Sequence, residues 1–383
     1  MARKSTFPIG GIHPHEDIQS TRDRPIFNAS LPAEAVVPLQ QHIGAPAKLL
    51  VEVGDTVREG QLIGEAQGFV SANVHSPIPG EVTEIRRIYL PNGAVTDAVV
   101  IALAGTFDQL GKDTEPAPMP DMELSELLEA IREAGIVGMG GATFPTHVKY
   151  KVPAGAEVKY FIVNGTECEP YLSSDHRLMV ERTDEILQGT SLIARALGAQ
   201  HAVIGVESNK PESIQRLRER RDALGYDIEI LTTQLKYPQG DEKQLVRVVT
   251  GKEIPSGDLP LAVGAVVSNT GTVFAIQQAA VYRRPLVDRI VTVSGGAVAQ
   301  PGNLRVRIGT TFRQLIDECG GLLEPPKKVV AGGPMMGFTV FDLDTPVTKG
   351  TSGVLVMAAS EIHDAPTSPC IGCGRCVAAC PVG

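Results

Sequence analysis

The chain has 383 residues, 43% hydrophobic and 21% charged, with a formal net charge of −9 at pH 7. That length implies several domains, each able to bury its own core, and the acidic balance argues against nucleic-acid binding, which needs a basic face. No apolar run reaches the roughly 18 residues that span a bilayer, and the N-terminus MARKSTFPIGG lacks the apolar region of a secretory signal.

The first unit, residues 1–105, reads as short strands separated by turns. VPLQQHIGAPAKLLVEVGDTVREGQLIGEAQGFVSANVHSPIPGEVTEI alternates apolar and polar positions and is punctuated by Gly-Asp, Glu-Gly and Pro-Gly. VEVGDTVREGQLIGE followed by VHSPIPGEV resembles the barrel-sandwich of lipoyl and biotinyl carrier domains. Such carriers place a modifiable lysine at a hairpin tip, but the corresponding stretch Gly68–His75 contains none. A docking or structural module is therefore expected.

Residues 106–120 form a Pro-rich linker. The next unit, 121–287, opens with a helix whose stripe is Leu124, Leu127, Leu128 and Ile131, closed by Gly135. KYFIVNG, HAVIGVES and YDIEILTT read as strands alternating with the helices DEILQGTSLIARALG and PESIQRLRERRDALG. Such alternation predicts βαβ units and a parallel sheet. Pro211 at a first helical position and Gly198 and Gly225 at helix ends agree with those boundaries. Residues 288–360 read as one helix, begun near Thr310-Thr311, laid on a curled sheet in a β-grasp arrangement. Residues 361–383 carry a cysteine run.

That run is Cys370, Cys373, Cys376 and Cys380, followed by Pro381, with the spacing C-x2-C-x2-C-x3-C-P. Thiolates hold the irons of [4Fe–4S] clusters, and x2 gaps let one loop wrap three corners of a cube. A zinc site or a disulfide pair is the competing reading; zinc knuckles are usually two separated C-x2-C pairs. In two-cluster modules the fourth cysteine serves the other cluster. With no second run before Gly383, the sequence reads as ending inside such a module. Six cysteines, four of them clustered, fit a reducing compartment. Cys168 and Cys319 read as packing residues, His147 as a solvent-facing residue, and Arg216, Arg218, Arg220 and Arg221 as a solvated helix surface.

Between the first helix and the first central strand lies Val137-Gly-Met-Gly-Gly-Ala-Thr-Phe-Pro-Thr-His-Val-Lys149. Its glycines permit positive φ and close backbone approach to a phosphate. Asn164-Gly-Thr-Glu167-Cys-Glu169 leaves a strand at its C-terminal end, where open α/β sheets bind ligands. Two acidic residues there could hold ligand hydroxyls or face solvent.

GGATFPTHVK, NGTECEPY with DHRLM, KYPQGDEKQLV, SNTGTVFAI, GGIHPHE and HIGAP occur along nearly the whole chain. Together they resemble the RnfC subunit of the Rnf (Rsx) ion-translocating electron-transport complex. The central unit is also similar to the NADH-binding flavoprotein subunit of respiratory complex I, whose motifs read GRGGAGFPTG, NADEMEP, YxCGEE and NVET. The resemblance implies an α/β multidomain protein: a barrel-sandwich hybrid, a Rossmann-like FMN/NADH-binding domain, an SLBB-like β-grasp domain and the start of a ferredoxin-type domain.

Carried over by motif, the glycine loop falls on Gly138, Gly140, Gly141, Ala142, Phe144 and Lys149, which would cradle FMN. Asn164, Glu167 and Glu169 take the positions that bind FMN and face the nicotinamide, with Glu167 and Glu169 the candidate catalytic pair. Gly240, Asp241 and Glu242 fall on GEE, and Asn269 and Thr270 fall near the FMN phosphate. Three departures stand out: Thr143 for a loop glycine, Asp241 for Glu, and no adenine-stacking aromatic in Gly251–Pro260. The implied cofactors are FMN and [4Fe–4S] clusters with NAD(H) as substrate. The implied partners are ferredoxin and the membrane and flavin subunits of the assembly, at the cytoplasmic face of the membrane. A cobalamin reductase-like protein and a non-catalytic scaffold with a decayed flavin site are the alternatives.

Overall fold

The computed structural model describes residues 5–8, 10–107, 118–153, 155–362 and 368–380. Most of the expected linker 106–120, together with Pro381 and Gly383, lies outside them.

Two small antiparallel sheets make the first unit. Strands Glu34–Pro38, Val95–Leu103, Gly80–Tyr89 and Thr56–Val57 form one; Lys48–Leu49, Leu62–Glu65 and Val74–His75 form the other. Side chains alternate across each strand, which turns Val37, Val99 and Ile101 inward with Ile63, Val74 and Ile78 to form one buried cluster. This is the expected barrel-sandwich.

The central unit opens with the helix Leu124–Glu133. Leu127 and Ile131 are fully buried, and Leu124 and Leu128 pack on the same core. Gly135 follows at φ +65°, the left-handed turn that ends a helix. A four-stranded sheet follows in the order Glu229–Thr233, His201–Glu207, Tyr160–Gly165, Ala265–Asn269, every pair parallel. Two helices, Ser174–Glu181 and Thr183–Ala196, occupy the first crossover where one was expected. Val163, Phe161 and Ile204 on the sheet bury against Leu187, Ile193, Val273 and Ile276 on the helices.

In the third unit the helix Phe312–Glu318 lies on a six-stranded mixed sheet. Thr311 caps it by accepting from the Gln314 N–H at 3.3 Å. Phe312, Leu315 and Ile316 bury against Val291, Leu304, Val354 and Val356. The outer strand of this sheet is Ile26–Asn28, parallel to Asn303–Arg305. Ahead of it, Ser5 bridges Thr233 and Ile12 bridges Tyr237 on the central unit. Residues 5–8 and 10–28, expected with the barrel-sandwich, therefore lie along the two following units. A short segment with no core of its own satisfies its backbone groups on existing strands and loops. Among the described residues, no helix is long and apolar enough to cross a membrane.

Candidate cofactor site

The central chain leaves Tyr160–Gly165, adds two strands on one side, then crosses back to place Ala265–Asn269 on the other. The strand order thus reverses between Tyr160–Gly165 and Ala265–Asn269. Open α/β sheets bind ligands beyond the strand ends at such a reversal. Asn164 and Asn269 are register partners there. Asn164 Nδ2 donates to the Gly240 carbonyl at 2.8 Å, and Thr270 Oγ1 donates to the Asn164 carbonyl at 3.1 Å. One side chain and its carbonyl therefore gather three segments distant in sequence.

The glycine loop arches over this point. A bridge between Val137 and Pro145 and a bond from Gly138 N–H to the Phe144 carbonyl at 2.8 Å close its base. Gly140 meets Asn269 so closely that an added Cβ would stand 2.9 Å from the asparagine Cβ. Gly141, at φ +144°, has open space where a side chain would go. Gly140, Gly141 and Ala142 form the exposed crest, with Phe144 half-buried behind it. Met139 N–H donates to Thr272 Oγ1 at 2.9 Å.

Beneath the loop, Asn269 caps the helix Thr270–Tyr282, accepting from the Gly271 and Thr272 N–H groups at 2.8 and 3.4 Å. Thirteen residues of helix thus end their positive pole under a glycine crest, an arrangement suited to a phosphate. Asn269 Nδ2 donates to Asp175 Oδ2 at 2.6 Å. Burial, with Glu167 nearby, pushes the Asp175 carboxyl well above the usual range.

Thr143 holds the left-handed conformation, φ +50°, that a glycine adopts at no cost. Its methyl lies against Gly350, where any side chain would overlap it, and its carbonyl accepts from Ile43 N–H at 3.4 Å. The barrel-sandwich and the β-grasp unit therefore both hold the departure from the glycine pattern in place. Ile43 belongs to the HIGAP segment, whose role was not legible from its sequence.

The acidic residues separate into two kinds. Glu167 has a side chain only 6% exposed. Its oxygens accept from Ser174 Oγ at 3.2 Å, Asp175 N–H at 3.0 Å and His176 N–H at 3.2 Å. It caps the helix Ser174–Glu181, so the structure gives this candidate catalytic residue a structural task. Behind it, buried Lys210 donates to the Glu167 carbonyl at 2.7 Å and pairs with Glu207 at 3.4 Å.

Glu169 is different. Its Oε2 accepts from Met335 N–H at 3.0 Å, while Oε1 is buried without a hydrogen-bond partner. Burial raises its carboxyl, and Gly333 has room for no side chain beside it. The β-grasp loop Gly332–Gly337 thus packs against the Glu169 carboxylate, a contact that no spacing along the chain signals.

Gly240 lies against Thr166, where a Cβ would overlap the carbonyl oxygen. Asp241 caps the helix Glu242–Thr250, accepting from the Lys243 and Gln244 N–H groups at 3.1 Å. The shorter Asp arm suits that cap. Lys149 Nζ pairs with Glu242 Oε1 at 2.5 Å across the half-exposed rim. The N-terminal segment closes the neighbouring side: Ile12 and Tyr237 exchange backbone hydrogen bonds at 2.9 and 2.8 Å, and Asn209 Nδ2 donates to Glu16 Oε2 at 2.9 Å.

Cys370, Cys373, Cys376 and Cys380 are exposed, and among the described residues no group of three or more His, Cys, Asp or Glu is arranged to hold a metal ion. Gly372 and Gly374 adopt positive φ, +65° and +71°, and Gly372 N–H donates to Cys370 Sγ at 3.4 Å. A four-thiol donor set with turning glycines between its members fits an iron–sulfur cluster. The isolated Cys319 is buried and Cys168 half-buried, and burial pushes both thiols up to about 12.

Three family models match the chain: the Nuo51 FMN-binding domain over residues 131–278, the RnfC barrel sandwich hybrid domain over 6–106, and the SLBB domain over 290–339. The chain is 44% identical to the C subunit of the proton-translocating ferredoxin:NAD(+) oxidoreductase complex of Clostridium ljungdahlii, over 97% of this chain and 81% of that protein. It is 41% identical to the C subunit of the Na(+)-translocating ferredoxin:NAD(+) oxidoreductase complex of Acetobacterium woodii, over 97% and 84%. The C subunit of the ion-translocating oxidoreductase complex of Rhodobacter capsulatus is 43% identical, over 98% and 72%. Among solved structures, NAD+-reducing [NiFe]-hydrogenase in the H2-reduced state superposes with a TM-score of 0.55 at 23% identity, covering 62% of this chain and 47% of that one. That likeness concerns the fold.

Proposed function

The chain belongs to the RnfC family of subunits in ion-translocating ferredoxin:NAD(+) oxidoreductase complexes, and on that basis we propose that it is the FMN-bearing, NAD(H)-handling member of such a complex. The observation that carries this reading is the meeting of Gly140 with Asn269, which brings an open glycine crest over a helix N-terminus at the sheet's reversal point. FMN, when bound, supplies the conversion between hydride exchange with NAD(H) and single-electron transfer.

The chain's own residues have distinct parts. Gly138, Gly140, Gly141 and Ala142 let the backbone approach the flavin phosphate, with Asn269 and Thr270 aligning the helix beneath it. Asn164 and Gly240 hold the floor, and Phe144 backs the crest. Glu169 and the Lys149–Glu242 pair line the acidic side on which the nicotinamide would lie. The run Cys370, Cys373, Cys376 and Cys380 supplies thiolates to [4Fe–4S] clusters that receive the electrons. Ferredoxin and the membrane and flavin subunits of the assembly are the partners, with the chain peripheral at the cytoplasmic face.

Titration of the full chain with FMN, followed by rapid mixing with NADH, tests the reading. Saturable FMN uptake and bleaching of the flavin by NADH are expected. A chain that takes up no FMN would be a scaffold, and the proposal would fall. Uptake without bleaching by NADH would remove the NAD(H) half.

A further inference from the structure

Arg289 belongs to the β-grasp strand Asp288–Ser294, yet its side chain enters the central unit. It is 7% exposed. Nε donates to the Thr351 carbonyl at 3.3 Å and Nη2 to the Met139 carbonyl at 3.5 Å. Nη1 faces Met139 Sδ at 2.8 Å, and a thioether is a weak acceptor. A Cβ added to Gly271 would stand 3.2 Å from Nη1, so the guanidinium abuts the first turn of the helix Thr270–Tyr282.

No carboxylate of the described residues lies within ion-pair distance of it. Asp288, its chain neighbour, is turned to Arg305 at 2.7 Å and Arg307 at 3.9 Å. Asp175, on the loop side, is bonded to Asn269 and, like Asp288, reaches the guanidinium only as a longer-range attraction. Burial lowers the Arg289 pKa to about 10, which leaves it cationic at neutral pH. A buried cation with no ion-pair partner is costly. Its edge contacts Met139 of the glycine loop from below.

We propose that Arg289 is a positioning residue for the flavin phosphate: from beneath the glycine loop it supplies the counter-charge, acting through Met139 and the first turn of the helix Thr270–Tyr282. The β-grasp unit would then complete the phosphate site electrostatically without touching the ligand. This rests on the FMN reading above.

FMN and riboflavin differ by the phosphate, so the ratio of their affinities isolates the charge. Fluorescence quenching of each flavin by the full chain measures it. R289M is expected to weaken FMN about tenfold, equivalent to about 1.4 kcal/mol, while riboflavin binding stays as in the parent. R289K should keep most of the FMN preference, because it keeps the charge. Should R289M fail to fold, R289K against R289Q makes the same comparison between charge kept and charge removed. An unchanged ratio in a folded neutral variant overturns the proposal, including the case where both flavins weaken together. A parent chain that binds neither flavin instead overturns the FMN reading itself.

Discussion

Gly140 and Asn269 lie 129 positions apart in the chain, yet a single methyl on the glycine would stand 2.9 Å from the asparagine Cβ. That contact seats the glycine loop on the cap of the helix Thr270–Tyr282. G140A should lift the crest off the cap. Overpacking of this kind costs about 1–3 kcal/mol, so FMN affinity is expected to fall tenfold or more, read by flavin fluorescence. G141A meets no neighbour within the chain but must hold φ +144°, so it should lower thermal stability as well as weaken FMN, because its methyl faces the ligand side of the crest. An FMN affinity untouched by G140A would take the loop out of the site.

Glu167 and Glu169 should separate cleanly. Glu167→Ala removes a buried carboxylate that accepts from two backbone N–H groups and one hydroxyl and lies 3.9 Å from Lys210. Breaking such a buried set costs about 3–5 kcal/mol, so the midpoint of denaturant unfolding should drop sharply. Glu169→Gln keeps the bond from Met335 N–H and should leave stability within about 1 kcal/mol. Its effect is expected on the rate of flavin reduction by NADH. Equal destabilisation by the two changes would contradict this division.

The Lys149–Glu242 pair is about a third exposed at each end. Exposed pairs contribute about 0.2–1 kcal/mol, so E242Q should barely move the melting temperature. Stopped-flow mixing with NADH should nevertheless show slower flavin reduction than in the parent. A melting temperature that falls while the rate holds would make the pair purely structural.

Lys349 is fully buried, and its Nζ donates to the carbonyls of Asn73 at 2.5 Å and Gly135 at 2.7 Å. Burial lowers its pKa to about 7 from 10.5. Between those values the unfolded chain binds the proton that the folded chain lacks, so stability rises with pH across that window. The slope from this residue reaches about 1.4 kcal/mol per pH unit. K349M should flatten the rise of unfolding free energy between pH 7 and 10 relative to the parent. Parallel curves for the two proteins would mean that Lys349 keeps an ordinary pKa.

The local grammar of the chain was legible without any structure. Alternation in VEVGDTVREGQLIGE gave short strands because side chains on a strand point to opposite faces, and the resemblance to lipoyl and biotinyl carrier domains gave their barrel-sandwich arrangement. The stripe Leu124, Leu127, Leu128 and Ile131 gave a helix for the equivalent reason at a period of 3.6 residues. Gly198, Gly225 and Pro211 marked helix ends because their backbone preferences are intrinsic. The candidate site residues were carried over from the motifs of the family the chain resembles, with the glycine loop and the strand-end position of Asn164 as the parts readable locally.

The task of each of those residues emerged only in three dimensions. Glu167 and Glu169 are two positions apart in one motif, yet one caps a helix that begins seven residues later and the other meets a β-grasp loop. Arg289 looks like any charged residue opening a strand until packing drives it under the glycine loop. Ser5, Ile12 and Ile26–Asn28 fall in what looks like the start of the barrel-sandwich, but they pair with strands and loops of the next two units. Periodicity and motif spacing are local and specify elements and loops. Burial, ion pairing and helix capping depend on neighbours distant in the chain, so the charged residues acquire their roles from the packing of the units.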